Sequence, residues 1–208
     1  MVKKGEVKQE RNSIDPDNEK IVAKKIITFW HIIDKLSSKS DFVARLYEKT
    51  VGREYRKERE KFNLSKSKRI LHIGCGSYPI TAMILSEIKG VKVVTIDFNK
   101  KLVGLAKKVL EEKNLNDRIL ADVGDGKKYP LKGFDTIIIS GCSIPKMKVV
   151  EHILEEADKD SRIIIRELYY KDEILDIVNS KKDVKFVEEF YNKAFPTCRW
   201  ESLLFSKK

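Results

Sequence analysis

The residues whose types and spacing suggest chemistry lie first in one stretch, Ile70-Leu71-His72-Ile73-Gly74-Cys75-Gly76-Ser77-Tyr78-Pro79-Ile80-Thr81. An apolar run passes into a Gly-x-Gly turn and then into a helix start. Glycine at 74 and 76 permits a tight turn and lets backbone approach a ligand where a side chain would block it. Pro79 suits the first helical turn, where its missing N–H is no loss. About twenty residues later the run Val91 to Ile96 ends in Asp97, where a carboxylate can accept from both hydroxyls of a ribose. A third run ends in Ala121-Asp122 before Gly124-Asp125-Gly126. An acid there can receive an adenine amino group, Asp122 first and Asp125 as the alternative. A fourth run ends in Ser140-Gly141-Cys142-Ser143, which opens the sheet edge beside a bound ligand. Glycine turn, ribose acid, adenine acid and open fourth strand, in that order, point to a nucleotide-like ligand. The candidate binding set is Gly74, Cys75, Gly76, Tyr78, Pro79, Asp97, Phe98, Asp122, Val123, Ser140 and Cys142.

Candidate reacting groups follow the fourth and fifth apolar runs. Glu167, just past a buried strand, is the first choice for acid–base work, and Tyr169 is the second candidate. The competing role for Glu167 is an ion pair with Arg166 or Lys171, and for Tyr169 and Tyr170 a place in the pocket wall. Cys142 lacks a partnered histidine and reads as a small core residue rather than a nucleophile. His72 and His152 read as structural, while His31, beside Trp30, can border a cleft. Three scattered histidines and three separated cysteines, Cys75, Cys142 and Cys198, imply no metal site and no disulfide framework.

These groups need a scaffold. Ile21, Val22, Ile26, Phe29, Trp30, Ile33 and Leu36 recur at helical spacing after a polar stretch over 1–16, which reads as a disordered tail. A second amphipathic segment starts near Ser40 or Asp41 and carries Phe42, Val43, Leu46, Tyr47, Val51 and Tyr55 toward a charged run ending near Phe62. Residues 17–68 thus read as a helical cap, with Trp30, Phe42 and Tyr47 as core or as a lid. From Arg69 to Lys208 short apolar runs alternate with amphipathic ones. Strands are expected at 69–73, 91–96, 118–121, 134–140, 161–166, 184–190 and 200–206. Helices are expected near 79–89, 99–113, 146–157 and 171–180. That alternation predicts an α/β fold with a doubly wound, mostly parallel seven-stranded sheet. The last two strands are joined by a loop alone, so one edge should be antiparallel.

Composition narrows the class. The 208 residues carry 43 Lys and Arg against 32 Asp and Glu, a net charge of +11, and most of the excess sits in residues 1–68. Acids interleave with the bases from Arg53 to Lys61, so a Lys-rich solvated surface is a simpler reading than a nucleic-acid stripe. Charged residues reach 36% against the usual ~25%, a Lys- and Glu-rich pattern reported for proteins of hot-living organisms. No long uncharged apolar run is present, and the segment Met1 to Glu19 is too polar for a secretory leader, so a soluble cytoplasmic protein is expected.

A dinucleotide site would show a third glycine where Pro79 stands, and a second mononucleotide half. From Arg69 to Lys208 the chain instead resembles the S-adenosylmethionine-dependent methyltransferase superfamily. That resemblance implies that Gly74 and Gly76 hold the methionine part of the cofactor, that Asp97 holds the ribose and that Asp122 lies near adenine. More narrowly, Gly74-Cys75-Gly76-Ser77-Tyr78-Pro79-Ile80-Thr81 is similar to the glycine–glycine–proline–threonine pattern of nicotianamine synthases. So are Val149-Val150-Glu151-His152-Ile153 before the strand ending in Arg166, and Phe195-Pro196-Thr197 followed by Trp200 to Lys208. Those enzymes transfer the 3-amino-3-carboxypropyl arm of the same cofactor to an amine. The first expectation is therefore a methyltransferase acting on a small-molecule acceptor. Arm transfer is the alternative, and a non-catalytic cofactor- or RNA-binding protein stands third.

Overall fold

The computed structural model describes residues 16–194 and 198–208. The tail expected over 1–16 and the segment Phe195-Pro196-Thr197 lie outside the described residues, apart from Pro16, which opens the first helix. Helix α1 spans Pro16–Ser37, α2 Asp41–Tyr47 and α3 Arg53–Lys61; the π-helical turn Glu48–Gly52 joins α2 to α3 without a break. The second amphipathic segment is thus one continuous helix with a widened turn. Ser40 precedes it with extended backbone and accepts the Ala44 N–H at 2.9 Å through its carbonyl, while its side chain makes no cap.

The sheet elements follow as β1 (Arg69–Ile73), α4 (Ile80–Leu85), β2 (Lys92–Asp97), α5 (Lys100–Glu112), β3 (Ile119–Val123) and β4 (Thr136–Ile139). Then come α6 (Lys146–Glu156), β5 (Arg162–Glu167), α7 (Lys171–Ser180), β6 (Val184–Ala194) and β7 (Cys198–Lys207). The seven strands run β3-β2-β1-β4-β5-β7-β6. Strand β1 pairs in parallel with β2 on one side and β4 on the other. The winding reverses there, and a doubly wound sheet opens its ligand crevice at the carboxyl ends beside such a point. The reversed strand is β7, inserted antiparallel between β5 and β6.

Strand periodicity explains the two layers. In β4, Ile138 turns toward α4, α5 and the cap, while Ile137 and Ile139 turn toward α6 and α7. Burial on both faces accounts for the unbroken run Thr136-Ile137-Ile138-Ile139. Each fully buried isoleucine is worth about 1.5–3 kcal/mol. Ala44, Val51, Phe62 and Leu64 join Ile70, Ile138 and Leu204 in one apolar cluster, so cap and sheet share a core.

One polar junction reinforces it. Arg166 of β5 and Glu58 of α3, 2% and 1% exposed, meet at 2.8 Å. Arg166 also donates to the Thr81 hydroxyl at 2.7 Å and stacks over the Tyr55 ring at 3.6 Å. The Ser202 hydroxyl donates to Glu58. The charged run of α3 therefore has a buried face as well as a solvated one.

Candidate functional site

The turn after β1 is built as its glycines imply. Gly74 has φ +92° and Gly76 φ +63°, in the region that only glycine enters freely. A Cβ on Gly74 would lie 2.7 Å from the Ser143 hydroxyl, and one on Gly76 2.6 Å from the Asp34 carboxylate. The N–H groups of Gly74 and Cys75 both donate to the Ile96 carbonyl, which fixes the turn against β2. Asp97 ends β2 with one oxygen accepting the Gly76 N–H at 3.1 Å and the other the Asn99 N–H at 2.9 Å. Each oxygen keeps a lone pair for a further donor.

Around this turn lies a cleft of about 410 Å³. Its floor comes from the carboxyl ends of the strands: Gly74, Cys75, Gly76, Asp97, Gly124 to Gly126 and Ser140 to Ser143. Its roof comes from the cap, chiefly Trp30, Asp34, Tyr47 and Tyr55. The rings of Phe29, Trp30, Tyr47 and Tyr78 follow one another at centroid separations of 5.6, 5.9 and 6.2 Å, an aromatic wall from α1 to the glycine turn. Tyr47, Val51 and Tyr55 fall at intervals of four along the π-containing helix and all face the cleft.

Most of the binding set comes together. Gly74, Cys75, Gly76, Tyr78, Asp97, Phe98, Ser140 and Cys142 line the cleft, and His31 stands at its mouth. Pro79, Asp122 and Val123 are outside the lining. Pro79 shapes the entry to α4 instead. Asp122 is engaged by the Val123 N–H and the Tyr129 hydroxyl, and Val123 is exposed. Of the two acids offered for adenine, Asp125 is the one in the cleft. Burial opposes its charge, but the Lys127 N–H and ammonium, with Lys128, together outweigh it and hold it below the usual carboxylate range.

The reacting-group candidates fare differently. Glu167 does not line the cleft. Its Oε1 accepts the N–H groups of Leu168, Tyr169 and Tyr170 at 2.6, 2.6 and 2.9 Å, and its Oε2 lies 3.8 Å from the Lys146 ammonium. Neither expected partner reaches it: Arg166 pairs with Glu58, and Lys171 with Glu189 and Glu201. The geometry makes Glu167 the clasp of the β5–α7 loop. Tyr169 is half-buried outside the cleft, and burial raises its pKa. Phe42 is 77% exposed and takes no part in the roof.

Burial sets the state of the remaining groups. It pushes the Cys142 thiol up to about 11 and the Cys75 thiol higher still, so neither is a thiolate near neutrality. It lowers His72 to about 3; this imidazole is neutral, with Nδ1 2.8 Å from the Thr95 hydroxyl. Among the described residues no cluster of His, Cys, Asp and Glu could hold a metal, and no helix is long and apolar enough to cross a membrane.

The roles of two cleft residues escaped sequence reasoning. Asp34 follows Trp30 by one helical turn, and an acid on an otherwise apolar stripe was the available signal. Arg166 carried none, because the partner that makes its burial tolerable lies 108 residues away.

Comparisons with known proteins agree with this architecture. The model of a family described as protein-L-isoaspartate(D-aspartate) O-methyltransferase matches residues 54–165. No curated protein matches the chain. Among solved structures, a glutamate-to-glutamine mutant of the nicotianamine synthase MtNAS is 17% identical, with TM-score 0.73 over 93% of this chain and 78% of that one. MtNAS in complex with MTA and tNA is 19% identical, with TM-score 0.65 over 91% of this chain and 74% of that one. An O-methyltransferase from Bacillus cereus in complex with SAH is 16% identical, with TM-score 0.63 over 88% of this chain and 100% of that one. At these identities the likeness is one of fold.

Proposed function

The chain belongs to the protein-L-isoaspartate(D-aspartate) O-methyltransferase family, and from that premise we propose that it transfers a methyl group from S-adenosylmethionine to a small-molecule acceptor. The observation that carries the acceptor class is the roofed cleft. At about 410 Å³ it falls in the ~300–1,000 Å³ range of small-molecule sites, and Trp30, Asp34, Tyr47 and Tyr55 of the cap line it. A macromolecular acceptor would be better served by an open groove.

The residues present suit the cofactor. Gly74 and Gly76 give the turn its positive φ and let Ser143 and Asp34 lie against it where any Cβ would collide. The Asp97 carboxylate, tied to Gly76 and Asn99, has both oxygens set to accept from ribose hydroxyls. Asp125 lines the cleft whereas Asp122 does not, which supports Asp125 as the acceptor for the adenine amino group. When bound, S-adenosylmethionine supplies an electrophilic carbon on its sulfonium. The part left to the protein is positioning. Trp30, Tyr47, Tyr55 and Cys142 line the space available to an acceptor, and the cap over it shields it from water. Cys75, Cys142 and Cys198 are free thiols, in keeping with a cytoplasmic protein.

A second reading, transfer of the aminocarboxypropyl arm, draws support from the extent of the likeness to MtNAS, which reaches 93% of this chain whereas the family model starts at residue 54. The acceptor class is tested by incubating the protein with methyl-labelled cofactor and a cell extract split into small-molecule and protein fractions. Label in a small molecule other than the cofactor and methylthioadenosine supports the proposal; transferred label confined to protein overturns it.

A further inference from the structure

Asp34 enters the cleft from α1 and lies against the glycine turn. Its Oδ2 accepts the Ser77 hydroxyl at 2.6 Å together with the Ser77 N–H, and its Oδ1 accepts the Tyr78 N–H at 3.0 Å. Exposed N–H groups at a strand-to-helix turn ordinarily attract an anion. Here the protein has supplied that anion itself, so the turn presents negative rather than positive potential to a ligand. A ligand carboxylate brought to this point would meet like charge.

His31, three residues earlier on α1, favours the carboxylate electrostatically without pairing with it. Among the described residues no lysine, arginine or histidine forms an ion pair with Asp34. Arg166 is engaged by Glu58 at the far end of the cleft, and His72, beneath the turn, is neutral. Burial raises the Asp34 pKa and outweighs the three donors and His31 together. Buried charges are normally paired. The adjoining walls are the rings of Trp30, Tyr47 and Tyr78, whose faces attract cations.

We infer that Asp34 is the anchor for an ammonium group at the glycine turn, and that the α-ammonium of the cofactor's amino-acid arm fills this place. The inference rests on the cofactor reading above and adds polarity to it: ammonium toward Asp34, carboxylate away from it. Lys35 and His31, which also line the cleft, are the basic groups left for that carboxylate. Asp34 is then a positioning residue, since it sets the arm that carries the sulfonium. It also couples cofactor binding to the docking of α1.

Calorimetry with four nucleosides tests this. They are S-adenosylhomocysteine, its analogue without the amino group, its analogue without the carboxylate, and methylthioadenosine, which has no arm at all. In the unaltered protein the amine-only analogue should bind within a few-fold of S-adenosylhomocysteine, and the carboxylate-only analogue no tighter than methylthioadenosine. Asp34→Asn should weaken S-adenosylhomocysteine and the amine-only analogue by about 10- to 100-fold, the range of a charge-assisted hydrogen bond. Methylthioadenosine should bind the variant as it binds the parent, which also reports an intact nucleoside pocket. A carboxylate-only analogue as tight as S-adenosylhomocysteine would overturn the inference. So would an Asp34→Asn variant that weakens all four equally, or none; in the last case any ammonium at Asp34 belongs to the acceptor. If no nucleoside binds even the parent, the cofactor reading itself fails.

Discussion

The carboxylate of Asp97 takes the backbone N–H of Gly76 at 3.1 Å, across 21 residues of sequence. This single bond ties the carboxyl end of β2 to the turn after β1. It holds the acid proposed for ribose at a fixed distance from the glycines proposed for the methionine arm. Neither residue can be altered without disturbing the other.

Asp97→Ala and Gly76→Val are therefore expected to abolish S-adenosylmethionine binding in calorimetry. Valine at 76 would combine φ +63° with a Cβ 2.6 Å from Asp34. The alanine variant removes two charge-assisted acceptors, each worth about 1.5–3 kcal/mol. Undiminished affinity in both variants would remove the site from this edge of the sheet.

The Arg166–Glu58 pair should behave as a buried unit. Glu58→Gln or Arg166→Met alone leaves one charge uncompensated and should cost about 3–5 kcal/mol in urea unfolding. The double variant should recover part of that loss. Strict additivity would show that the two groups do not depend on one another.

Glu167→Gln should lower unfolding stability by about 1.5–3 kcal/mol, because three N–H donors and Lys146 lose a charged partner. Turnover per folded molecule should persist. A variant of normal stability that has lost turnover would return Glu167 to the chemistry.

His72 predicts an acid limb in stability. Its folded pKa of about 3 lies below the ordinary 6.5, so below pH 6.5 the unfolded chain takes up a proton that the native state refuses. Stability attributable to His72 is complete above pH 6.5 and falls as pH drops toward 3, with a limiting slope of about 1.4 kcal/mol per pH unit. Melting temperatures of the parent and His72→Gln, measured across that window, should differ in slope. Parallel curves would contradict the assignment.

Much of this architecture is legible in the residues. Strand β1 and its Gly-x-Gly turn, Asp97 at the end of β2 and the apolar run of β4 are local patterns, and each folds where its pattern predicts. What escaped depends on side chains meeting over long separations. Asp34 reaches Ser77 across 43 residues, and Glu58 reaches Arg166 across 108. Periodicity marks a face as buried but does not say which charge another element will bring to it. Glu167 shows the converse. Its place at a strand end resembles that of a reacting group, yet the following loop folds back and spends the carboxylate on its own N–H donors. Which of the two nearby acids, Asp122 or Asp125, lines the cleft was likewise left undetermined by the glycines on either side of Asp125.

Methyl transfer from S-adenosylmethionine leaves its signature in the spent cofactor. The protein is incubated with S-adenosylmethionine and the small-molecule fraction of a cell extract, and the nucleoside products are separated by chromatography. Accumulation of S-adenosylhomocysteine, absent from a parallel reaction with Asp97→Ala, is the predicted result. Accumulation of methylthioadenosine in its place would contradict methyl transfer and establish transfer of the aminocarboxypropyl arm.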